Sequence, residues 1–157
     1  MSVIIQGGQL RTVLLGTKVE EPAAVLPATA TAHLFTVSGG RVVVTGLVGQ
    51  CTTVCTSTAT TVSVGHTPLT GTASTTALAT ATAVTSAEVG SLVSLPVTKG
   101  ALLVNVLAGG AAQAPGSGGY VVPPGTIDIT TSATNTGAFK WTLTYVPLDD
   151  GATVTAA

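Results

Sequence analysis

Charge is scarce in this sequence. Five Lys and Arg and six Asp and Glu make up 7% of its 157 residues, against about 25% in an average soluble domain. The five cations, Arg11, Lys18, Arg41, Lys99 and Lys140, are scattered and form no stripe to displace counterions from phosphates, so nucleic acid is not an expected partner. Long apolar runs are lacking too. Mean hydropathy is +0.62, but no stretch approaches the ~20 apolar residues that span a bilayer as a helix, so no membrane partner is expected either.

The residues that carry chemistry are as few. Only His33 and His66 offer an imidazole, His33 within a strand pattern and His66 in the turn-like Gly65-His66-Thr67-Pro68, and no Gly-x-Ser-x-Gly elbow accompanies them. Cys51 and Cys55 satisfy half of a zinc-ligand spacing, but the histidines are far apart in the chain. At i, i+4 along a strand the two cysteines stand about 13 Å apart, beyond the ~7 Å reach of a disulfide, and are expected as free, packed thiols. Asp149-Asp150-Gly151 reads as a solvated acidic turn rather than a Ca²⁺ loop. Among carboxylates for glycoside chemistry, Glu88, Asp128 and the two terminal aspartates, Asp128 falls on the Thr side of its strand and reads as a surface group. No catalytic, cofactor-binding or metal-ligating residue is expected, and the chain does not read as an enzyme.

What is abundant is threonine, thirty residues of it. Thr is β-branched, so its stiff χ1 suits a pleated strand, and its hydroxyl faces water without charge. Such a surface is hydrated yet easily desolvated. Soluble monomers usually carry more charge to stay apart, so a net charge of −1 favours a subunit whose surface is used in contacts. The length suits one domain that buries about two-thirds of its unfolded surface. The start, Met-Ser-Val-Ile-Ile-Gln-Gly-Gly-Gln-Leu, has no basic region followed by a long apolar one, and cytoplasmic synthesis is expected.

The pattern along the chain predicts an all-β fold, an antiparallel β-sandwich or barrel-like domain over 32–157 with an extended N-terminal arm over 1–31, the arm being either first strands or an extension onto a neighbour. Within it, Val3-Ile4-Ile5 and Val13-Leu14-Leu15 are short apolar clusters with no repeat long enough for a stable helix. His33–Val37 and Arg41–Thr45 flank Ser38-Gly39-Gly40 and read as a hairpin. Gly46 and Gly49 suggest a bulge or bend, and Cys51–Val64 continues as another strand. The Thr/Ala alternation of 76–84 fits a strand with a small-residue face, although Ala also favours helix. Val89–Val97 and Ala101–Leu107 read as a second hairpin about Thr98-Lys99-Gly100, followed by a glycine-rich tip over 109–119. Thr126–Thr131 and Phe139–Val146 read as a third hairpin about Asn135-Thr136-Gly137. Phe139, Trp141, Leu143 and Tyr145 share one face of the last strand and Lys140, Thr142 and Thr144 the other, so this face is expected to anchor the core or an interface.

The stretch Gly125-Thr-Ile-Asp-Ile-Thr-Thr-Ser-Ala-Thr-Asn-Thr-Gly-Ala-Phe-Lys-Trp-Thr-Leu-Thr-Tyr-Val-Pro-Leu-Asp-Asp-Gly-Ala-Thr-Val154 resembles the end of small tailed-bacteriophage virion proteins. A weaker likeness joins Leu34-Phe-Thr-Val37 and Val42-Val-Val-Thr-Gly46. The resemblance covers about a quarter of the sequence and implies a virion structural protein, a capsid decoration or cement protein on the phage head. It implies as partners copies of the chain itself, a homo-oligomer such as a trimer, and the major capsid protein, and it places the chain on the capsid surface. The competing readings are a tail or fibre component that binds a host-surface glycan, and a small enzyme or metal protein. Interface residues are expected at Val3, Ile4, Ile5, Val13, Leu14, Leu15, Phe139, Trp141 and Tyr145. Where the arm is an extension and not the first strands of the domain, it can add strands to neighbours by main-chain hydrogen bonds; many copies then supply avidity, and assembly is expected to depend weakly on salt.

Overall fold

A computed structural model describes residues 7–98, 100–105 and 119–157. They form one helix, α1 (Gly7–Leu15), and eleven strands: β1 (Thr17–Val25), β2 (Thr31–Ser38), β3 (Val42–Thr53), β4 (Thr61–Pro68), β5 (Ser74–Ala83), β6 (Leu92–Ser94), β7 (Leu103–Asn105), β8 (Tyr120–Val122), β9 (Gly125–Thr131), β10 (Ala138–Pro147) and β11 (Thr153–Ala156). Two antiparallel sheets pack face to face as a β-sandwich, without closing into a barrel. The first has the order β1-β10-β3-β6-β7 with β8 also on β3; the second is β11-β2-β9-β4-β5.

The core follows from the alternation along β10. Phe139, Trp141, Leu143 and Tyr145 are all buried, as are Leu47 and Cys51 on β3 and Phe35, Val64, Ile127 and Ile129 on the facing sheet. Each such fully buried aliphatic or aromatic side chain contributes roughly 1.5–3 kcal/mol. The indole of Trp141 lies over Gly49, its partner across the ladder, where a Cβ would sit 2.6 Å from the ring. Gly49 therefore serves a close approach, while the expected bulge falls beside Gly46, where the β3–β10 register shifts.

Two of the three expected hairpins are not hairpins. β2 and β3 lie in different sheets, as do β9 and β10, so Ser38–Arg41 and Ser132–Gly137 carry the chain across the sandwich. Gly39 has φ 75°, and a Cβ on it would meet the Gly151 carbonyl oxygen at 2.2 Å; the glycines permit a crossing rather than a tight turn. In the second crossing Asn135 is a buried clamp. Its Oδ1 accepts from the backbone N–H of Thr56 (2.9 Å) and Gly137 (3.0 Å), and its Nδ2 donates to Thr60 Oγ1 (3.0 Å) and the Thr56 carbonyl (3.5 Å). The remaining hairpin stands, as β6 with β7, and the tip at 109–118 lies outside the described residues.

Three further expectations are corrected. Cys51–Val64 is not one strand: β3 ends at Thr53 and β4 begins at Thr61 in the other sheet. Residues 7–15 are helical although the apolar repeat is short, since Gly16 takes φ 88° against the Tyr145 carbonyl, ends the helix and lets β1 begin. The 1–31 segment is thus, over its described part, a helix followed by the edge strand β1 paired with β10, and Leu26 enters the core. The Thr/Ala segment is the strand β5, but its register against β4 shifts twice, so Leu78 and Ala79 are both buried.

Candidate functional site

Of the residues expected at an interface, Val3, Ile4 and Ile5 lie outside the described residues. Phe139, Trp141 and Tyr145 are enclosed in the core, the first two with ring centroids 5.9 Å apart, and present no surface to a partner. Val13 and Leu14 do: they are 84% and 75% exposed, with Leu10 at 58%. These three occupy positions i, i+3 and i+4 and so share one helix face. Leu15 is half-buried. The Thr45 hydroxyl lies within hydrogen-bond distance of the Leu15 carbonyl and, at 2.9 Å, of the Thr144 hydroxyl. Because Leu143 and Tyr145 point inward, Thr144 points outward, and the helix is tied to the outer side of the first sheet.

The outer side of the second sheet carries a different feature. Thr155, Thr36, Thr126 and Thr67 are register partners across β11, β2, β9 and β4, a row of four hydroxyls. Two residues along β9, on the same face, Asp128 pairs with His33 on one side and Gly65 on the other. His33 Nδ1 lies 2.6 Å from Asp128 Oδ1, and the Thr67 hydroxyl donates to Asp128 Oδ2 at 2.5 Å. Asp128 is 2% exposed, which corrects its expected place as a surface carboxylate. The sequence signal was Gly65: a Cβ there would meet the Ser74 carbonyl oxygen at 2.4 Å, so β5 folds over the strand face that alternation assigns to solvent.

Beside this cluster runs a groove of about 420 Å³, with His33, Thr36, Val37, Pro68, Leu69 and Thr126 among its walls. Leu69 is 78% exposed, and Thr126 Oγ1 is buried without a hydrogen-bond partner. The groove's shape needed the pairing of β2, β9 and β4, which no single segment of sequence encodes.

The remaining chemistry-bearing residues are structurally satisfied. His66 lies in β4 and not in a turn; it is buried, its Nε2 is 3.0 Å from the Pro123 carbonyl, and burial lowers its pKa. Cys51 and Cys55 are free and buried. Their thiols do not stand a strand's length apart, because the chain leaves β3 after Thr53 and brings the Cys55 thiol back against that of Cys51. Burial pushes Cys55 up to about 11 and raises Cys51 as well, and a thiol held protonated is a poor nucleophile. Arg41 grips Asp149 through Nε (2.9 Å), Nη2 (2.7 Å) and its backbone N–H (2.8 Å), which holds that carboxyl down at about 2. No group of three His, Cys, Asp or Glu side chains converges for a metal among the described residues.

Set against known proteins, no family model, no curated protein and no solved structure matches the chain.

Proposed function

We propose that the chain is a structural protein of a virus particle, a capsid decoration or cement protein that binds the head of a tailed phage and stabilises it as a homo-oligomer. The observation that carries this reading is a charge-poor sandwich that bears an exposed apolar helix face, Leu10, Val13 and Leu14, while its two histidines and two cysteines are held in structural contacts. Contiguous exposed apolar residues on a small domain mark an interaction surface. The resemblance of 125–154 to phage virion proteins supplies the particle, and the major capsid protein is the partner that a head location entails.

The test is quantitative mass spectrometry and immunogold labelling of purified particles from an infected culture. The chain is expected in many copies on the head, and particles that lack it are expected to lose DNA at lower temperature. Labelling confined to the tail, or its absence from particles, overturns the reading.

A further inference from the structure

The helix and the groove are both unfilled, and they lie on opposite outer faces of the sandwich. α1 has no buried side chain, and it leaves Leu10, Val13 and Leu14 exposed on one face, an apolar surface open to a partner. Across the molecule the groove offers Pro68 and Leu69 as apolar walls, beside Thr36, Thr67 and Thr126. Its Ser38 end adjoins the Asp149–Gly151 turn, since Gly39 packs on the Gly151 carbonyl and Ser38 Oγ is 3.0 Å from Thr153 Oγ1. That turn presents Asp150, an exposed carboxylate with no ion-pair partner among the described residues, and α1 presents Arg11, an exposed cation in the same position. An apolar knob with one cation thus has a counterpart in a groove that sets Pro68 and Leu69 among threonines, with one anion near its end.

We propose that α1 of one copy seats Leu10, Val13 and Leu14 in the sheet-face groove of a second copy, with Arg11 meeting Asp150. The contact is heterologous. Each copy gives a helix and receives one, so the assembly is a ring if the rotation closes and a filament if it does not. The inference deepens the oligomeric part of the proposed function and names its surfaces. It does not depend on which particle, if any, the chain decorates.

The experiment uses the full chain and two exposed substitutions, Leu14→Asp on the helix and Leu69→Asp on the groove, with Trp141 fluorescence and urea midpoint as controls of folding. Sedimentation velocity and light scattering are expected to show the native chain associating and each variant monomeric, its dissociation constant raised about thirtyfold or more, as for loss of a central anchor. An equimolar mixture of the two variants should form a 1:1 dimer that grows no further, because only one intact helix meets one intact groove. A native chain that stays monomeric at about 100 μM, where micromolar contacts are saturated, overturns the proposal. So does Leu69→Asp associating like the native chain, the sign of helix-to-helix pairing, or a mixture that remains monomeric. Saturable binding of an oligosaccharide to the monomeric native chain, abolished by Leu69→Asp, assigns the groove to a glycan and overturns it too. Association that behaves as expected in a chain missing from purified particles leaves this contact standing and removes only the virion reading.

Discussion

Replacing Asn135 by Ala should be among the most damaging single changes outside the apolar core. The side chain is 2% exposed and makes four hydrogen bonds, two as acceptor and two as donor. Ala leaves the N–H groups of Gly137 and Thr56 without their acceptor and the Thr60 hydroxyl without its donor. The Gly137 N–H is in buried surroundings and that of Thr56 only partly so. At about 1–3 kcal/mol per stranded buried group, counting Gly137 in full and Thr56 at about half, the loss comes to about 2–4 kcal/mol. With a urea slope of about 2 kcal/mol/M, the unfolding midpoint should fall by about 1–2 M, read from the fluorescence of the single, buried Trp141. A fall below about 0.3 M would refute the clamp, since that is the scatter of a neutral surface substitution.

The Asn135→Asp variant adds a pH dependence whose sign follows from burial. The N–H groups of Thr56 and Gly137 favour the carboxylate, but burial and the Thr56 carbonyl that would face its second oxygen favour the protonated form; with the latter two prevailing, a carboxyl in that site is expected above the ~3.9 of an unfolded chain, so the folded state binds the proton more tightly. The folded protein is then least damaged below the unfolded pKa and loses stability as pH rises through the folded one. Asn135→Ala should show no such slope relative to the native chain. Equal pH dependence in the two variants would show that residue 135 is solvated and the clamp absent.

Gly49→Ala puts a methyl group within 2.6 Å of the Trp141 ring; overpacking of about 2 kcal/mol should lower Tm by about 4–8 °C and change the near-UV circular dichroism of the indole, and an unchanged spectrum and Tm would mean that the ring is not packed on this glycine. Cys51 and Cys55 should resist a thiol-specific disulfide reagent at pH 8 in the folded protein, with Cys55 held at about 11, and both should react on unfolding; rapid labelling of the native chain would refute their burial. Asp149, held near 2 by Arg41 against about 3.9 when unfolded, stabilises the fold above the unfolded value, and that contribution fades as pH falls through the folded one. A carboxyl NMR titration should find it near 2 and Arg41→Ala should return it towards 4; a native value near 4 would dissolve the pair.

How far the sequence could be read depended on the range of the interaction involved. The inward face of β10 was plain from alternation alone, because Phe139, Trp141, Leu143 and Tyr145 recur at the strand's own period. Whether two consecutive strands pair with each other or cross between sheets was not, because Gly39-Gly40 and Asn135-Thr136-Gly137 serve either geometry and the choice lies in contacts with Gly151 and Thr56, distant in sequence. Asp128 was placed on the correct strand face, but its burial depends on β5 covering that face at Gly65, a long-range event with only a glycine to signal it. The helix is not legible because its apolar face, Leu10, Val13 and Leu14, spans a single turn and is left exposed rather than packed in the core. The apolar cluster itself, Val13-Leu14, was recognised.

The edges of the two sheets bear on how copies meet. The N-terminal segment reads from sequence as either first strands or an extension that adds strands to neighbours, and the described sheet edges are blunted against the second. β7, β8 and β11 are only three, three and four residues long. β1 carries Pro22, loses register between Glu21 and Ala24, and holds Glu20 in ion pairs with Lys18 (3.3 Å) and Lys140 (3.1 Å). β5 is long and uncharged, yet its ladder to β4 is twice irregular and its Thr80 N–H is taken by the Gly100 carbonyl at 2.8 Å. Proline, short length, irregular register and local capping are the means by which sheets avoid open-ended pairing. With charge sparse and the described strand edges blunted, the self-association proposed above would rest on side chains, and the most exposed large apolar ones, Val13, Leu14 and Leu69, are those of the helix and the groove. Main-chain pairing would tolerate Leu14→Asp and Leu69→Asp, whereas knob-in-groove contact does not.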